Sequence, residues 1–230
     1  MKYKNIVPAT FLKRPNRFIA HCLVEGTEVI AHVKNTGRCA ELLIPGVTVY
    51  LEHAPASTRK TDYSLIAVMK GELLINMDSQ IPNGAAYEAI LNKSLKITDE
   101  EITFSRREFK YGNSRFDIYL ETVTGRKLLV EVKGVTLERN GIATFPDAPT
   151  VRGTKHIYEL MEAVKDGYEC YILFVIQFSP VAYFEPNALM DPKLAQALRD
   201  ASNVGVKVLA VDCQIMPDEM VIKGLVEVRL

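Results

Sequence analysis

The pattern of apolar residues changes character near residue 80, and this change limits the fold more than any other feature. Over residues 17–77 the chain reads as short strands. The first alternates, with Ile19, His21 and Leu23 on one face and Phe18, Ala20, Cys22 and Val24 on the other. Further runs span 29–34, 47–53, 63–69 and 73–76. Turn residues separate them: Glu25-Gly26-Thr27, Asn35-Thr36-Gly37, Pro45-Gly46 and the polar stretch 55–62. Five short strands in about 60 residues, with no helical period, predict a small β-barrel, for which the OB-fold is the common five-stranded solution. After residue 80, Pro82-Asn83-Gly84 opens a helical run over 85–92. Three strand-like runs follow, 102–109, 115–121 and 127–133, joined by turns into a meander. Residues 140–150, with Pro146 and Pro149, read as a loop. A helix over 154–165 places Ile157, Leu160, Met161 and Val164 on one side and stops at Gly167. The run 171–178, apolar but for Gln177, predicts a strand buried on both faces. A helix over 192–201 and a strand over 206–211 complete the pattern. The second half thus reads αβββαβ followed by αβ, a mixed sheet flanked by helices, giving an α/β (α+β) chain divided into domains 1–80 and 81–230.

Charge separates the halves weakly. The formal net charge is +0, which excludes binding by bulk charge, but residues 1–80 hold 10 Lys/Arg against 7 Asp/Glu. The first 20 residues carry Lys2, Lys4, Lys13, Arg14 and Arg17 and no acid. Either this is a solvated basic edge or it meets phosphate first. Cys22, Cys39, Cys170 and Cys213 form no C-x-x-C pair, and the four histidines lack zinc-like spacing. With no apolar leader and no apolar run long enough to span a bilayer, the expectation is a reduced, cytoplasmic location without membrane contact.

Chemistry concentrates in the meander. Glu131 and Lys133 lie in Leu128-Leu129-Val130-Glu131-Val132-Lys133, so both project from one face of a strand while Leu128, Val130 and Val132 occupy the other. Asp117, in Ser114-Arg115-Phe116-Asp117, sits on the preceding strand and comes beside them once the two pair. Charges within an apolar strand pair are costly unless they satisfy one another or bind something. Two carboxylates aimed at one point suit Mg²⁺ (or Mn²⁺), and Lys133 would face charge developing on a phosphate. The plainer alternative is a cross-strand salt bridge. Glu88, on the first helix of this half, is a candidate third metal ligand or a solvent-facing acid.

Asp117…Glu131-Val132-Lys133 in this element order resembles the PD-(D/E)XK nuclease superfamily, with Phe116 where that pattern often has Pro. A wider resemblance covers almost the whole chain. The stretches His32-Val33-Lys34-Asn35-Thr36-Gly37-Arg38, Leu43-Ile44-Pro45-Gly46, Ser114-Arg115-Phe116-Asp117, Glu131-Val132-Lys133-Gly134-Val135-Thr136-Leu137 and the segment from Phe145-Pro146-Asp147 to Lys155-His156 are similar to the sugar fermentation stimulation protein A family of bacteria and archaea. The resemblance implies an OB-like N-terminal domain, a restriction-endonuclease-like C-terminal domain and DNA binding. Two functions follow as expectations: a Mg²⁺-dependent nuclease with Asp117, Glu131 and Lys133 catalytic, or a non-catalytic DNA-binding regulator of sugar (maltose) metabolism genes. Strand preference and oligomeric state stay open, a homodimer being one option.

For nucleic-acid contacts the candidates are Arg14, Arg17, Lys34, Asn35, Arg38, Arg152 and Lys155. Arg14, Arg17, Phe11 and Phe18 form a basic–aromatic mix suited to stacking on and clamping a single strand, with a core position the preferred expectation for Phe18. Near the start of the second helix, Lys155 is preferred over Arg152 and His156 as the residue facing phosphate. OB-folds also bind sugars, and the absence of Trp counts against that reading.

Overall fold

The computed structural model describes residues 1–35, 37–55 and 61–230. Thr36 and most of the polar turn expected over 55–62 therefore lie outside the described residues. The first half is a closed barrel of β1 (Ile6–Asn16), β2 (Ile19–Val24), β3 (Thr27–Val33), β4 (Thr48–His53) and β5 (Tyr63–Lys70), with β6 (Leu73–Asn76) added as a hairpin on β5. A parallel pairing of β3 with β5, from Ala31↔Tyr63 to Val33↔Leu65, shuts it. Period-2 alternation turns Ala9, Phe11, Ala20, Cys22, Ala31, Val33, Val49, Leu51 and Leu65 into the barrel interior.

The five-stranded barrel agrees with expectation, but its membership does not. The basic N-terminal stretch is β1 itself, a long strand whose first half pairs with β4 and whose second half pairs with β2 across two irregularities. Bends of this kind let one strand serve two sides of a barrel. Phe11 is core, whereas Phe18 is 43% exposed, contrary to the core position preferred for it.

The second half opens with α1 (Ile81–Leu91), which begins earlier than expected because Pro82 is tolerated in a helix's first turn. Then come β7 (Ile102–Tyr111), β8 (Ser114–Thr122), β9 (Lys127–Val135), β10 (Leu137–Arg139), β11 (Ile142–Phe145), α2 (Val151–Lys165), β12 (Glu169–Ile176), β13 (Tyr183–Pro186), α3 (Pro192–Asn203), β14 (Lys207–Met216) and β15 (Glu219–Val226). The main sheet has the order β15-β14-β12-β9-β8-β7. Its centre, β9-β12-β14, is parallel and its flanks are antiparallel. α1 covers one face through Ile81, Ala85, Ala86 and Ile90 against Ile118, Leu128, Val130 and Val132. α2 and α3 cover the other through Ile157, Leu160, Ala197 and Leu198 against Leu129, Ile172 and Phe174. Thr150 and Asp191 cap α2 and α3, each accepting a backbone N–H at 3.0 Å. Part of the segment expected as loop is β11, which pairs with β10 and β13 in a small side sheet.

Buried amides join the halves. Gln177, one residue past β12, donates its side-chain nitrogen to the backbone and side-chain oxygens of Asn76 (3.1 and 3.0 Å) and to the carbonyl of Asp78 (3.1 Å). Asn76 N donates back to Gln177 O.

Candidate functional site

The β8–β9 ladder runs from Glu121↔Lys127 to Ile118↔Val130 and then stops. Asp117 and Glu131 are the first residues beyond that point, where the strands separate and side chains enter the space the ladder leaves. Asp117 replaces a lost ladder acceptor: its Oδ2 accepts Val132 N at 2.7 Å. Its Oδ1 accepts the side-chain amide of Asn83, in the first turn of α1, at 2.5 Å. Burial, and then the neighbouring Glu131 charge, push the Asp117 carboxyl up to about 7.

Glu131 is almost fully buried, and both its side-chain partners use the same oxygen. Lys133 Nζ donates to Oε1 at 2.6 Å, and His156 Nδ1, from α2, donates to it as well. An ionised carboxylate only accepts, so the proton lies on Nδ1. Burial opposes the charge on Glu131, but the His156 bond and the Lys133 ammonium outweigh it and hold the carboxyl below its usual range. Glu131 Oε2 is buried and has no hydrogen-bond partner among the described residues. Two neighbouring carboxyls are thus driven in opposite directions, the arrangement by which one fold separates acid from base roles.

These features fit a hard divalent cation. An orphaned carboxylate oxygen beside a desolvated carboxyl would be relieved by one, and Mg²⁺ is commonly held by only one or two carboxylates, with water and substrate phosphate supplying the rest. Among the described residues no group of three or more His, Cys, Asp or Glu side chains is arranged to hold a metal.

The expected third ligand, Glu88, lies elsewhere on α1 from the contact with Asp117. It is exposed and points to the N-terminal amino group of Met1 at 3.6 Å, while Asn83 on the same helix reaches Asp117. Asn83 and His156 are the members that sequence reading missed as site residues. His156 stood beside Lys155 near the start of the second helix but was passed over for Lys155, which is exposed and 3.7 Å from Glu159.

Around His156 opens a groove of about 690 Å³ lined by Lys110, Asn113, Arg115, Arg152 and Lys155. Arg152 and Lys155 thus lie together in a groove that His156, the partner of Glu131, also lines. The barrel candidates divide. Arg14 is structural: its guanidinium donates to the carbonyls of Gly37, Arg38, Arg17 and Asn35 at 2.7–2.8 Å, a set of acceptors that leaves little for phosphate. Lys34 is held by the buried Asp78 at 2.9 Å. Asn35 uses its side-chain oxygen to fix Gly37 N. These three shape the loop instead of presenting charge. Arg17 and Arg38 remain exposed, and Arg17 stacks over the open Phe18 ring at 4.9 Å.

Comparison with known proteins decides the family. Residues 12–77 match the family described as SfsA N-terminal OB domain, and residues 80–219 match the sugar fermentation stimulation protein RE domain. The chain belongs to the sugar fermentation stimulation protein family. It is 49% identical to a homologue from Clostridium beijerinckii over the full length of both chains, and 53% identical to one from Alkaliphilus oremlandii, covering 99% of this chain and 98% of that one. The solved structure of Pyrococcus furiosus SfsA in complex with Ca²⁺ superposes with a TM-score of 0.88 at 32% identity, covering 100% of this chain and 98% of the other. The fold is thus an OB barrel joined to a restriction-endonuclease-like mixed-sheet domain. No helix among the described residues is long and apolar enough to cross a membrane.

Proposed function

We propose that this SfsA-family chain is a DNA-binding, divalent-metal-dependent nuclease of the PD-(D/E)XK type, with nucleic-acid binding centred in residues 1–80 and hydrolysis in 81–230. The observation that carries the reading is the unpartnered, buried Glu131 Oε2 next to the desolvated Asp117. Asp117 and Glu131 would hold Mg²⁺ or Mn²⁺, which supplies Lewis-acid polarisation of the phosphoryl oxygen and a more acidic bound water. The complex of the P. furiosus relative with Ca²⁺ supports a divalent cation of this class. His156 and Asn83 orient the two carboxylates. Lys133, tethered to Glu131 at the site's edge, places an ammonium where charge develops on a phosphate. Arg152 and Lys155 line the groove that leads the backbone in, and the Arg17–Phe18 pair stacks on a base at the barrel. The four buried free thiols suit a reducing, cytoplasmic setting.

The test digests single- and double-stranded DNA and RNA with Mg²⁺ or Mn²⁺, comparing wild type with Asp117→Asn and Glu131→Gln, alongside calorimetric Mn²⁺ titration. Cleavage and Mn²⁺ binding that both variants lose support the reading. A wild type that neither cuts nor binds Mn²⁺ sinks it. A second reading, a non-catalytic DNA-binding regulator, is favoured by Lys133 being engaged by Glu131. It predicts Mn²⁺ binding without cleavage, and DNA affinity whose salt slope falls by about one on Arg152→Ala.

A further inference from the structure

A second concavity lies beyond the carboxyl ends of the parallel neighbours β9 and β12, the place where open α/β sheets bind ligands. It encloses about 200 Å³ between the barrel loop at Asn35 and Gly37, Ser79 before α1, and the strand ends at Gly134, Thr136, Thr144 and Gln177. Three features mark it as built. Thr144 is 6% exposed, lines the cleft, and its hydroxyl has no partner among the described residues. The Gln177 amide nitrogen is consumed by Asn76 and Asp78, leaving its carbonyl oxygen beside Gly134. Gly134 is kept bare by its surroundings: a Cβ there would come within 2.6 Å of that oxygen and 2.9 Å of Pro82 Cγ.

The chemistry of the walls selects the occupant. Among the described residues no Lys or Arg lines the cleft and Asp147 does, so a phosphate is disfavoured. The walls offer hydroxyls and a side-chain carbonyl around apolar surface from Leu137 and Phe145. A flat, neutral group with an apolar face and donor and acceptor edges matches this, and the volume is that of one nucleobase. Gly134 directly follows Lys133 on β9 and its bare α-carbon faces Pro82, next to the Asn83 that reaches Asp117, so the cleft flanks the carboxylate site from the α1 side.

We infer that this cleft receives one unstacked nucleobase of a strand whose backbone lies at Asp117 and Glu131. The inference rests on the nucleic-acid reading above and adds the preference for an unpaired base. It is tested on the full chain in EDTA, so that cleavage does not intervene, using duplexes with a single bulged 2-aminopurine and fully paired controls. Expected are about tenfold tighter binding of the bulged duplex, as base stacking and pocket contacts warrant, and a rise in 2-aminopurine fluorescence on binding. Thr144→Val, which removes only the hydroxyl, and Thr136→Leu, which fills the cleft, should each bring the ratio of the two affinities towards one. Equal affinities without a fluorescence rise overturn the cleft assignment while leaving nucleic-acid binding intact, as does a ratio both variants leave unchanged. Failure to bind any oligonucleotide in EDTA and in Ca²⁺ alike overturns the nucleic-acid reading and the cleft with it.

Discussion

Asp117 carries an opposition that can be measured without any substrate. Its folded-state carboxyl titrates near 7 against 3.8 in an unconstrained chain, because burial and Glu131 disfavour its charge. The protonated form therefore stabilises the fold fully below the unfolded value, and that contribution is lost as pH rises through 7. In EDTA, Asp117→Asn should equal wild type near pH 4 and exceed it at pH 8 by about 1–2 kcal/mol, since the Asn83 amide can turn to pair with the new one. Urea denaturation across that range is the check, and an advantage that shrinks with rising pH would contradict the assignment. Glu131 behaves oppositely, being held charged by two donors on one oxygen. Removing one donor by His156→Ala leaves a buried anion short of a hydrogen bond, at a cost of about 1–3 kcal/mol by the same measurement. That a histidine 25 positions downstream and an asparagine 34 positions upstream of their partners complete the site could not be read from the sequence. The Asp117–Glu131–Lys133 trio was readable because strand alternation alone puts Glu131 and Lys133 on one face.

At the level of elements, legibility followed apolar density. β12 and the helices α2 and α3 were evident because buried faces repeat along them. β1 was missed because only Ala9 and Phe11 of its eleven residues are buried, and its bend breaks the alternation. β15 is an edge strand with one fully buried residue, and β11 and β13 have four residues each, below what a periodic pattern can signal. The α1 start was misplaced by taking Pro82-Asn83-Gly84 as the lead-in to a helix over 85–92, yet those residues form its first turn, which delivers Asn83 to Asp117. The contact of α1 with β9 is also close enough to be tested. Gly134→Ala would drive a methyl against Pro82 and Gln177, and should destabilise by about 1–3 kcal/mol in thermal or urea unfolding. A neutral result would mean that helix and strand are looser than drawn.

Across the whole molecule, the barrel and the mixed sheet share hydrogen bonds as well as apolar surface. Gln177→Ala would strand the buried acceptors of Asn76 and Asp78, at a cost of about 2–4 kcal/mol. Calorimetry should record one transition for wild type and a lowered or divided one for the variant. An unchanged single transition would mean that the amide tie is incidental. The tie also fixes geometry, because Asn76 ends the barrel's last strand and Gln177 extends the sheet's central one. On the proposed nuclease reading, a strand gripped at Arg17 and Phe18 would therefore meet the carboxylates at a set offset, so that the molecule would act as a ruler and fragments released from an end-anchored substrate would share a single length.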